Sequence, residues 1–287
     1  MPNNDQYSNK IIDGRAIAAE VLGNIKSYIS QLQSKPGLAV IQVGNDAAST
    51  TYVKNKLLAC EKVGIQSFAY NLAEDISATQ LTSIINNLNN DEKVHGILVQ
   101  LPLPDQLNTR EICNSISLHK DVDGLSSDTL GKIMAFEQDR VLPCTPKGIM
   151  LILNKIKLDI IGIKCTIVGS SNIVGKPLAL ELIAAGATVT TCHKHTKNLQ
   201  ENIEGAELVI TAIGKTGIIK TAWIKKGATI IDIGINKIGN KITGDIDFKS
   251  AITIAKMITP VPGGVGPITV AMLMQNTLDA FTKSASK

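Results

Sequence analysis

The stretch that decides the fold is KCTIVGSSNIVGKP, residues 164–177. Its first five residues form a short apolar run that is typical of a buried strand, and a helical pattern follows Pro177. Gly169 and Gly175 lie in the turn between strand and helix. Such a turn presents backbone N–H groups and the positive end of a helix dipole, which together suit a pyrophosphate. The pattern therefore favours a dinucleotide-binding fold.

The glycine spacing in this turn is unusual. Ser171 stands where the second glycine of the common G-x-G-x-x-G pattern is expected. The same residues are also compatible with an ordinary tight turn whose helix packs closely on the sheet. Both interpretations are open at this point.

The next predicted strand bears on which dinucleotide would bind. It ends in His193-Lys194-His195-Thr196-Lys197, about 20 residues after the turn. A fold that prefers NAD usually has Asp or Glu here to bind the ribose 2′-hydroxyl, and this segment contains no acid. Basic and hydroxyl groups accommodate a 2′-phosphate instead, although a solvated basic loop would look alike. Together with the glycine turn, the segment favours NADP.

Strands and helices alternate along most of the chain. Repeated strand–helix–strand units predict mostly parallel sheets covered by helices, which is the α/β class. The pattern starts again near residue 145, and 287 residues at about 150 per domain agree with two domains. The predicted strands begin near residues 37, 65, 94, 164, 187, 207 and 228, and the predicted last helix spans about 267–281.

Composition excludes several classes of protein. A hydrophobic fraction of 44% excludes a largely disordered chain, and a net charge of +4 gives no argument for nucleic acid or a membrane surface. Five scattered cysteines without a C-x-x-C pair, and no apolar signal segment, predict a reduced, cytoplasmic protein. The uncharged stretch 257–278 is interrupted by Pro and Gly, so we expect no membrane span. The His and Cys spacing predicts no metal site.

Tyr52 and Lys56 lie four residues apart on a predicted helix, so their side chains share one face. Short-chain dehydrogenases use a Tyr-x-x-x-Lys pair, but there the pair follows the glycine turn in the same domain. Here it precedes the turn by over a hundred residues, which argues against that class. A surface pair is the ordinary alternative.

Three further features point to a ligand site. Gln100 ends a predicted strand, and open α/β folds bind ligands at the carboxyl ends of strands. The segment Lys120-Asp121-Val122-Asp123-Gly124 places two carboxylates in a glycine turn, where an Asx-capped turn is the alternative. The loop 259–267 alternates Pro and Gly, so its backbone can approach a ligand closely, although a structural turn is also possible.

At these positions the chain resembles the bifunctional methylenetetrahydrofolate dehydrogenase/cyclohydrolase family. The resemblance covers nearly the whole chain, and the family uses the same variant glycine turn. The motifs that carry it are, in chain order, Ser49-x-x-Tyr52-x-x-x-Lys56, Val99-Gln100-Leu101-Pro102-Leu103-Pro104, Lys120-Asp121-Val122-Asp123-Gly124, Pro143-Cys144-Thr145-Pro146, Gly169-x-Ser171-x-Ile173-Val174-Gly175-x-Pro177 and Pro262-Gly263-Gly264-Val265-Gly266-Pro267.

The resemblance implies an enzyme of one-carbon metabolism that serves purine biosynthesis. It would oxidise 5,10-methylenetetrahydrofolate with NADP and hydrolyse the methenyl product to 10-formyltetrahydrofolate. Lys56 would be catalytic in the hydrolytic step, because a partly buried amine beside a cationic substrate can relay a proton. Tyr52 and Gln100 are also implied to be catalytic and substrate-binding residues, which position and tune Lys56. Asp123, also implied to be catalytic, would hold the pterin. Pro262, Gly263 and Gly264 would flank the folate. The implied cofactor-binding residues are Gly169, Ser170, Ser171, Ile173, Gly175, Lys194, Thr145, Gly214 and Ile235.

The resemblance also implies the domain organisation and a homodimer. Residues 1–145 would form an α/β folate-binding catalytic domain, to which a C-terminal helix, 266–287, returns. Residues 146–265 would form a Rossmann-like, doubly wound parallel-sheet domain that binds NADP. Ser170 departs from relatives that carry an arginine there, so NADP preference would depend on Lys194, with Lys197 or His193.

Two other functions stay open on the sequence. The first is another two-domain NADP-dependent dehydrogenase of the shikimate or amino-acid type. The second is a catalytically silent nucleotide-binding module on the same fold. The presence of Lys56, Gln100 and Asp123 favours the enzyme over the silent module.

Overall fold

The computed structural model describes residues 7–239 and 241–285, without the side chain of Ala48. Contacts divide the chain into two compact units. The first unit comprises Ala18–Cys144 and the segment that begins at Val270; the second comprises Thr145–Thr269 and the segment that ends at Ile17. Within the described ranges, no helix is both long enough and apolar enough to cross a membrane.

The first unit is built on a three-stranded parallel sheet in the order β2-β1-β3. The central strand is buried along its whole length, which explains its continuous apolar run, whereas the edge strand β2 is mostly exposed. The strands are β1 (Gly37–Val43), β2 (Gln66–Leu72) and β3 (Gly96–Val99), and the helices are α1 (Gly14–Ile29), α2 (Ala47–Val63), α3 (Ala78–Asn90), α4 (Thr109–Asn114) and α5 (Ser127–Met134).

Helix α2 carries the predicted Tyr52–Lys56 pair, and local sequence fixes both of its ends. The side chain of Asp46 accepts a hydrogen bond from the Ser49 N–H and so caps the first turn. Gly64 ends the helix with a φ of +88°, a left-handed conformation that glycine adopts without strain.

The second unit contains a five-stranded, entirely parallel sheet in the order β10-β7-β6-β4-β5. The chain runs from β4 to β5 at one edge and then reverses toward β6, β7 and β10, which makes the sheet doubly wound. The two-domain α/β fold predicted from the sequence is therefore confirmed. The elements are α6 (Cys144–Lys155), β4 (Lys164–Val168), α7 (Gly175–Ala184), β5 (Thr188–Cys192), α8 (Leu199–Ile203), β6 (Leu208–Thr211), β7 (Thr229–Asp232), the antiparallel hairpin β8 (Asn236–Ile238) and β9 (Lys241–Thr243), α9 (Phe248–Ile254), β10 (Met257–Ile258) and α10 (Val265–Ala285).

The N-terminal segment groups differently from the predicted range 1–145. The Ile12 N–H donates to the carbonyl of Ile258 at 2.9 Å, and Ile11 forms a parallel bridge with Ile258, so the segment extends the β10 edge of the second unit. Gly14 lies directly against the backbone of Gly264, where a Cβ atom would collide. Long-range backbone pairing, which periodicity does not reveal, places this segment.

Helix α10 is divided between the units at Val270 rather than at residue 266. Its later part packs within the first unit. The side-chain amide of Asn276 donates to the carbonyls of Val122, at 2.8 Å, and Leu142, at 3.0 Å. Met274 lies 3.6 Å, sulfur to sulfur, from the buried Cys60.

Candidate active site

Lys56 and Gln100 are in direct contact in the first unit. The Lys56 Nζ donates a hydrogen bond to the Gln100 Oε1 at 2.9 Å, and both side chains are half-buried. The Gln100 Nε2 donates to the carbonyl of Leu101 at 2.6 Å, and the Gln100 backbone N–H donates to the carbonyl of Ile41 at 2.8 Å. The amide oxygen is therefore held toward the lysine, and Lys56 has one defined direction.

Tyr52 lies one turn before Lys56 on α2 and is also half-buried. Burial raises the pKa of the Tyr52 phenol above its usual value. The phenol consequently keeps its proton at neutral pH and can donate a hydrogen bond.

Asp121 forms a parallel bridge with Ile97 of β3, the strand that ends just before Gln100. The turn that carries Asp123 therefore begins beside β3. Burial raises the pKa of the Asp123 carboxyl, while the positive charge of Lys56 and a hydrogen bond with the Cys144 side chain oppose this rise. The charge of Lys56 therefore acts on the Asp123 carboxyl. The direct contact that the structure shows among Lys56, Gln100 and Asp123 is the hydrogen bond between Lys56 and Gln100.

Asp121 holds the turn that presents Asp123. It is 2% exposed, and its carboxylate is an Asx-type cap, as the alternative interpretation of this turn expects. The Asp121 carboxylate caps the turn, and the Asp123 carboxylate is the one that the candidate site can use. Asp121 accepts hydrogen bonds from the N–H groups of Gly124 (3.0 Å), Leu125 (3.2 Å) and Ser126 (2.9 Å) and from the hydroxyl of Thr129 (2.8 Å).

Asn276 supports the same turn from α10, and the sequence interpretation missed it. The carbonyl of Val122, immediately before Asp123, accepts from the Asn276 amide at 2.8 Å and from the Cys144 thiol at 3.5 Å. Asn276 is 4% exposed. The polar residues Gln275, Asn276 and Thr277, which interrupt the apolar pattern of the last helix, are the signal that could have found it, because buried amides require partners.

The glycine turn of the second unit has the geometry that a phosphate site needs. Gly169 has a φ of +138°, and a Cβ atom there would come within 2.6 Å of the carbonyl oxygen of Ala212. A Cβ atom on Gly175 would collide with the carbonyl of Gly169. Both positions therefore require glycine. The N-cap residue of α7 is Val174, which offers no side-chain cap, so the start of this helix suits an anionic ligand.

Ser171 explains the unusual glycine spacing. Its Oγ accepts from the Val174 N–H at 3.1 Å, and its carbonyl accepts from the Lys176 N–H at 3.0 Å. The serine therefore closes the turn internally. Ser170 is half-buried, and Ile173 is exposed in the same turn.

Lys194 is exposed in the loop that follows β5. The loop is folded on itself, because the His193 N–H donates to the Thr196 Oγ1 at 2.8 Å and the His195 N–H donates to the His193 Nδ1 at 3.2 Å. Since β5 neighbours β4 in parallel, Lys194 lies on the edge of the sheet that also carries the glycine turn.

The other residues implied for the cofactor and the folate loop lie in the second unit. The hydroxyls of Thr145 and Thr269 are 3.0 Å apart. Gly214 follows β6 with a φ of +68°, and Ile235 follows β7 and is exposed. Pro262, Gly263 and Gly264 precede α10, and Gly263 has a φ of +108°. In the part of the chain that the structure describes, no group of three or more His, Cys, Asp or Glu side chains could hold a metal ion.

Two family models match most of the chain. The catalytic domain of tetrahydrofolate dehydrogenase/cyclohydrolase matches residues 12–123, and the NAD(P)-binding domain of the same family matches residues 143–285. The chain belongs to the tetrahydrofolate dehydrogenase/cyclohydrolase family. It is accordingly an enzyme with an oxidoreductase and a hydrolase activity, and it uses a nicotinamide cofactor.

Relatives of this family cover nearly the full length. The bifunctional protein FolD of Methylobacillus flagellatus is 49% identical over 277 residues, which are 95% of this chain and 96% of the relative. The crystal structure of the bifunctional FolD of Campylobacter jejuni is 42% identical, covers 96% of this chain and 99% of its own, and has a TM-score of 0.93. The FolD of Trypanosoma brucei, complexed with NADP and an inhibitor, is 32% identical, covers 96% and 98%, and has a TM-score of 0.94.

The shikimate-type alternative shares the fold alone. Shikimate dehydrogenase of Aquifex aeolicus is 15% identical, covers 88% of this chain and 93% of its own, and has a TM-score of 0.51. The family assignment made from the sequence motifs is therefore confirmed over this alternative.

Proposed function

We propose that this family member oxidises 5,10-methylenetetrahydrofolate to the methenyl compound with NADP and then hydrolyses it to 10-formyltetrahydrofolate through Lys56. The contact between the Lys56 Nζ and the Gln100 Oε1 carries the proposal, because it gives this amine a fixed direction. NADP, when bound, supplies the hydride chemistry by accepting a hydride from the methylene carbon. The T. brucei relative, complexed with NADP, supports this cofactor.

The hydrolytic step needs a proton relay at a cationic carbon. The oxygen of water bonds to the methenyl carbon, and the bond from that carbon to N5 breaks. One proton of the water ends on N5, and the other is released to solvent. The Lys56 amine takes the first proton from water and delivers it to N5, and Gln100 keeps the amine in place throughout. Tyr52 donates from its phenol and tunes the same amine.

Asp123 binds the pterin in this proposal. A pterin ring presents neighbouring N–H donors, and a carboxylate accepts two of them in one plane. Pro262, Gly263 and Gly264 flank the folate, because backbone without a Cβ atom allows a flat ligand to lie against it.

The glycine turn and Lys194 hold the cofactor. The pyrophosphate lies at the start of α7, beside Gly169, Ser170, Ser171, Ile173 and Gly175. The Lys194 ammonium group would form an ion pair with the 2′-phosphate, and Lys197 and His193 lie near Lys194 in the same loop. Thr145, Gly214 and Ile235 complete the cofactor set. We assign the folate chemistry to the first unit and NADP binding to the second. The predicted ranges 1–145 with 266–287 and 146–265 correspond to these units apart from the segment that ends at Ile17, Thr145 and residues 266–269.

The test separates the two activities. Lys56→Met should abolish conversion of methenyltetrahydrofolate to 10-formyltetrahydrofolate, and Lys54→Met, which alters an exposed lysine of the same helix, should keep it. Full formyl production by purified Lys56→Met would refute the role of Lys56. For the dehydrogenase step, wild-type enzyme with methylenetetrahydrofolate should form NADPH, which absorbance measures directly. Formation of no reduced cofactor with NADP would refute the proposed reaction.

We also infer a cytoplasmic homodimer. All five cysteines are buried and outside any disulfide, and reduced thiols are typical of the cytosol. Strand β5 is the edge of the five-stranded sheet, and exposed sheet edges commonly pair with another copy. Light scattering coupled to gel filtration measures the mass of the particle, and a monomer at micromolar concentration would contradict the dimer.

A further inference from the structure

Two buried aspartates lie at the carboxyl edge of the second unit's sheet, and neither belongs to the predicted site. Asp232 is the last residue of β7 and is 4% exposed; Asp245 follows β9 and is 1% exposed. Buried carboxylates are costly unless hydrogen bonds satisfy them, so their partners show what they stabilise.

Asp245 binds backbone N–H groups of one segment and a side chain of another. Three donors lie consecutively in the turn after β6, and one belongs to the first residue of β8. The side chain therefore ties the turn after β6 to the start of the hairpin. Its donors are the Thr211 Oγ1 (2.6 Å) and the N–H groups of Ile213 (2.7 Å) and Gly214 (3.3 Å) to Oδ2, and the Lys215 N–H (3.0 Å) and the Asn236 Nδ2 (2.9 Å) to Oδ1.

Asp232 in turn fixes Asp245. Its Oδ1 accepts from the backbone N–H groups of Asp245, at 3.1 Å, and Gly234, at 2.9 Å, and its Oδ2 accepts from the Ile246 N–H at 2.9 Å. The packing is reciprocal, because a Cβ atom on Gly234 would collide with the Asp245 carboxylate and one on Gly244 with the Asp232 carboxylate. Each carboxylate thus occupies the space that a side chain at the opposite glycine would need.

We propose that Asp245 is a positioning residue of the nucleotide site, which it serves by holding the turn Ile213–Lys215 and the start of β8 in one conformation. These segments contain or adjoin Gly214 and Ile235, two of the residues assigned to the cofactor. Ligands of doubly wound sheets bind at the carboxyl ends of the strands where the strand order reverses, and the turn after β6 lies next to that point. The inference rests on the proposed binding of NADP at this edge.

The decisive variant is Asp245→Asn. It keeps the shape of the side chain but replaces one acceptor oxygen by an amide that faces donors, so at least two of the five donors lose their acceptor. A hydrogen bond to a charged group is worth roughly tenfold or more in an equilibrium constant. We therefore expect the Kd for NADP, measured by calorimetry, and the KM for NADP to rise at least about tenfold, while kcat at saturating NADP stays within about twofold.

Two further measurements separate positioning from general stability. Cyclohydrolase turnover on methenyltetrahydrofolate needs no cofactor, so it reports the amount of folded enzyme in each preparation. Asp247→Ala removes an exposed cap of α9, which accepts from the Lys249 N–H, and so destabilises the same unit without touching the turn. This control should leave the Kd for NADP within about twofold of the wild type.

Asn236→Ala covers the case in which Asp245→Asn does not fold. It deletes one donor to Asp245 from a half-buried position, and we expect about threefold weaker NADP binding. An unchanged Kd in folded Asp245→Asn, or in Asn236→Ala where the first variant is insoluble, overturns the inference. An equal rise in Asp247→Ala would also overturn it. Failure of the wild type to bind NADP would instead contradict the proposed function.

Discussion

The burial of Asp232 makes the stability of the second unit depend on pH. Burial raises the pKa of Asp232 to about 6 from a usual value near 4, and the negative charge of Asp245 acts in the same direction. Hydrogen bonds from three backbone N–H groups oppose the rise without cancelling it. The folded protein therefore holds the proton of this carboxyl more tightly than the unfolded chain does.

The sign of the effect follows from this difference. Below about pH 4 both states are protonated, and the stabilising contribution of the proton is fully present. As the pH rises through about 6, the folded state must ionise a buried group, and the contribution is lost. A pKa shift of about two units corresponds to about 3 kcal/mol in the free energy of unfolding.

The measurement compares wild type with Asp232→Asn by urea unfolding between about pH 4 and pH 8. Trp223 is the single tryptophan of the chain and packs against the core of the second unit, so its fluorescence reports this unit selectively. We expect the stability of the wild type relative to the variant to fall by about 2 kcal/mol from pH 4 to pH 7, because the unfolded chain has already lost part of this proton at pH 4. A wild-type minus Asp232→Asn difference that stays constant within about 0.5 kcal/mol would refute the reasoning.

Three further predictions follow from single side chains. Lys194→Glu should lower the preference for NADP over NAD at least about tenfold in kcat/KM, and an unchanged preference would remove Lys194 from the 2′-phosphate site. Gly175→Ala should weaken NADP binding and lower stability by about 1–3 kcal/mol, because its Cβ atom meets the carbonyl of Gly169; a wild-type Tm would contradict this. Asn276→Ala leaves the carbonyl of Val122 without its amide donor and should cost about 2 kcal/mol by urea unfolding, whereas a loss below about 0.5 kcal/mol would show that the amide is dispensable.

The sequence by itself determined the α/β class and the strands that bury both faces. The runs at Gly37–Val43 and Lys164–Val168 are mostly apolar and, except for Lys164, buried, because central parallel strands are covered on both sides. This pattern is local. The sequence also predicts the glycine turn after β4, since Gly169 and Gly175 lie within one short segment. The motifs around Lys56, Gln100 and Asp123 indicate the family, and the structure adds the hydrogen bond between Lys56 and Gln100.

The sequence pattern does not predict the shortest strands. The hairpin β8–β9 has three residues in each strand, and β10 has two, so neither is long enough to show a period. The resemblance assigns the N-terminal segment to the first domain, whereas the pairing of Ile11 and Ile12 with Ile258 joins it to the second unit.

Tertiary structure alone decided how the polar groups are satisfied. Asn276 reaches carbonyls more than 130 residues away in the chain, and Asp245 collects donors that lie some 30 residues upstream. A sequence pattern registers which side chains prefer burial, because that preference repeats with the period of a helix or strand. It does not register which buried carboxylate meets which N–H group, because that pairing depends on the packing of distant elements.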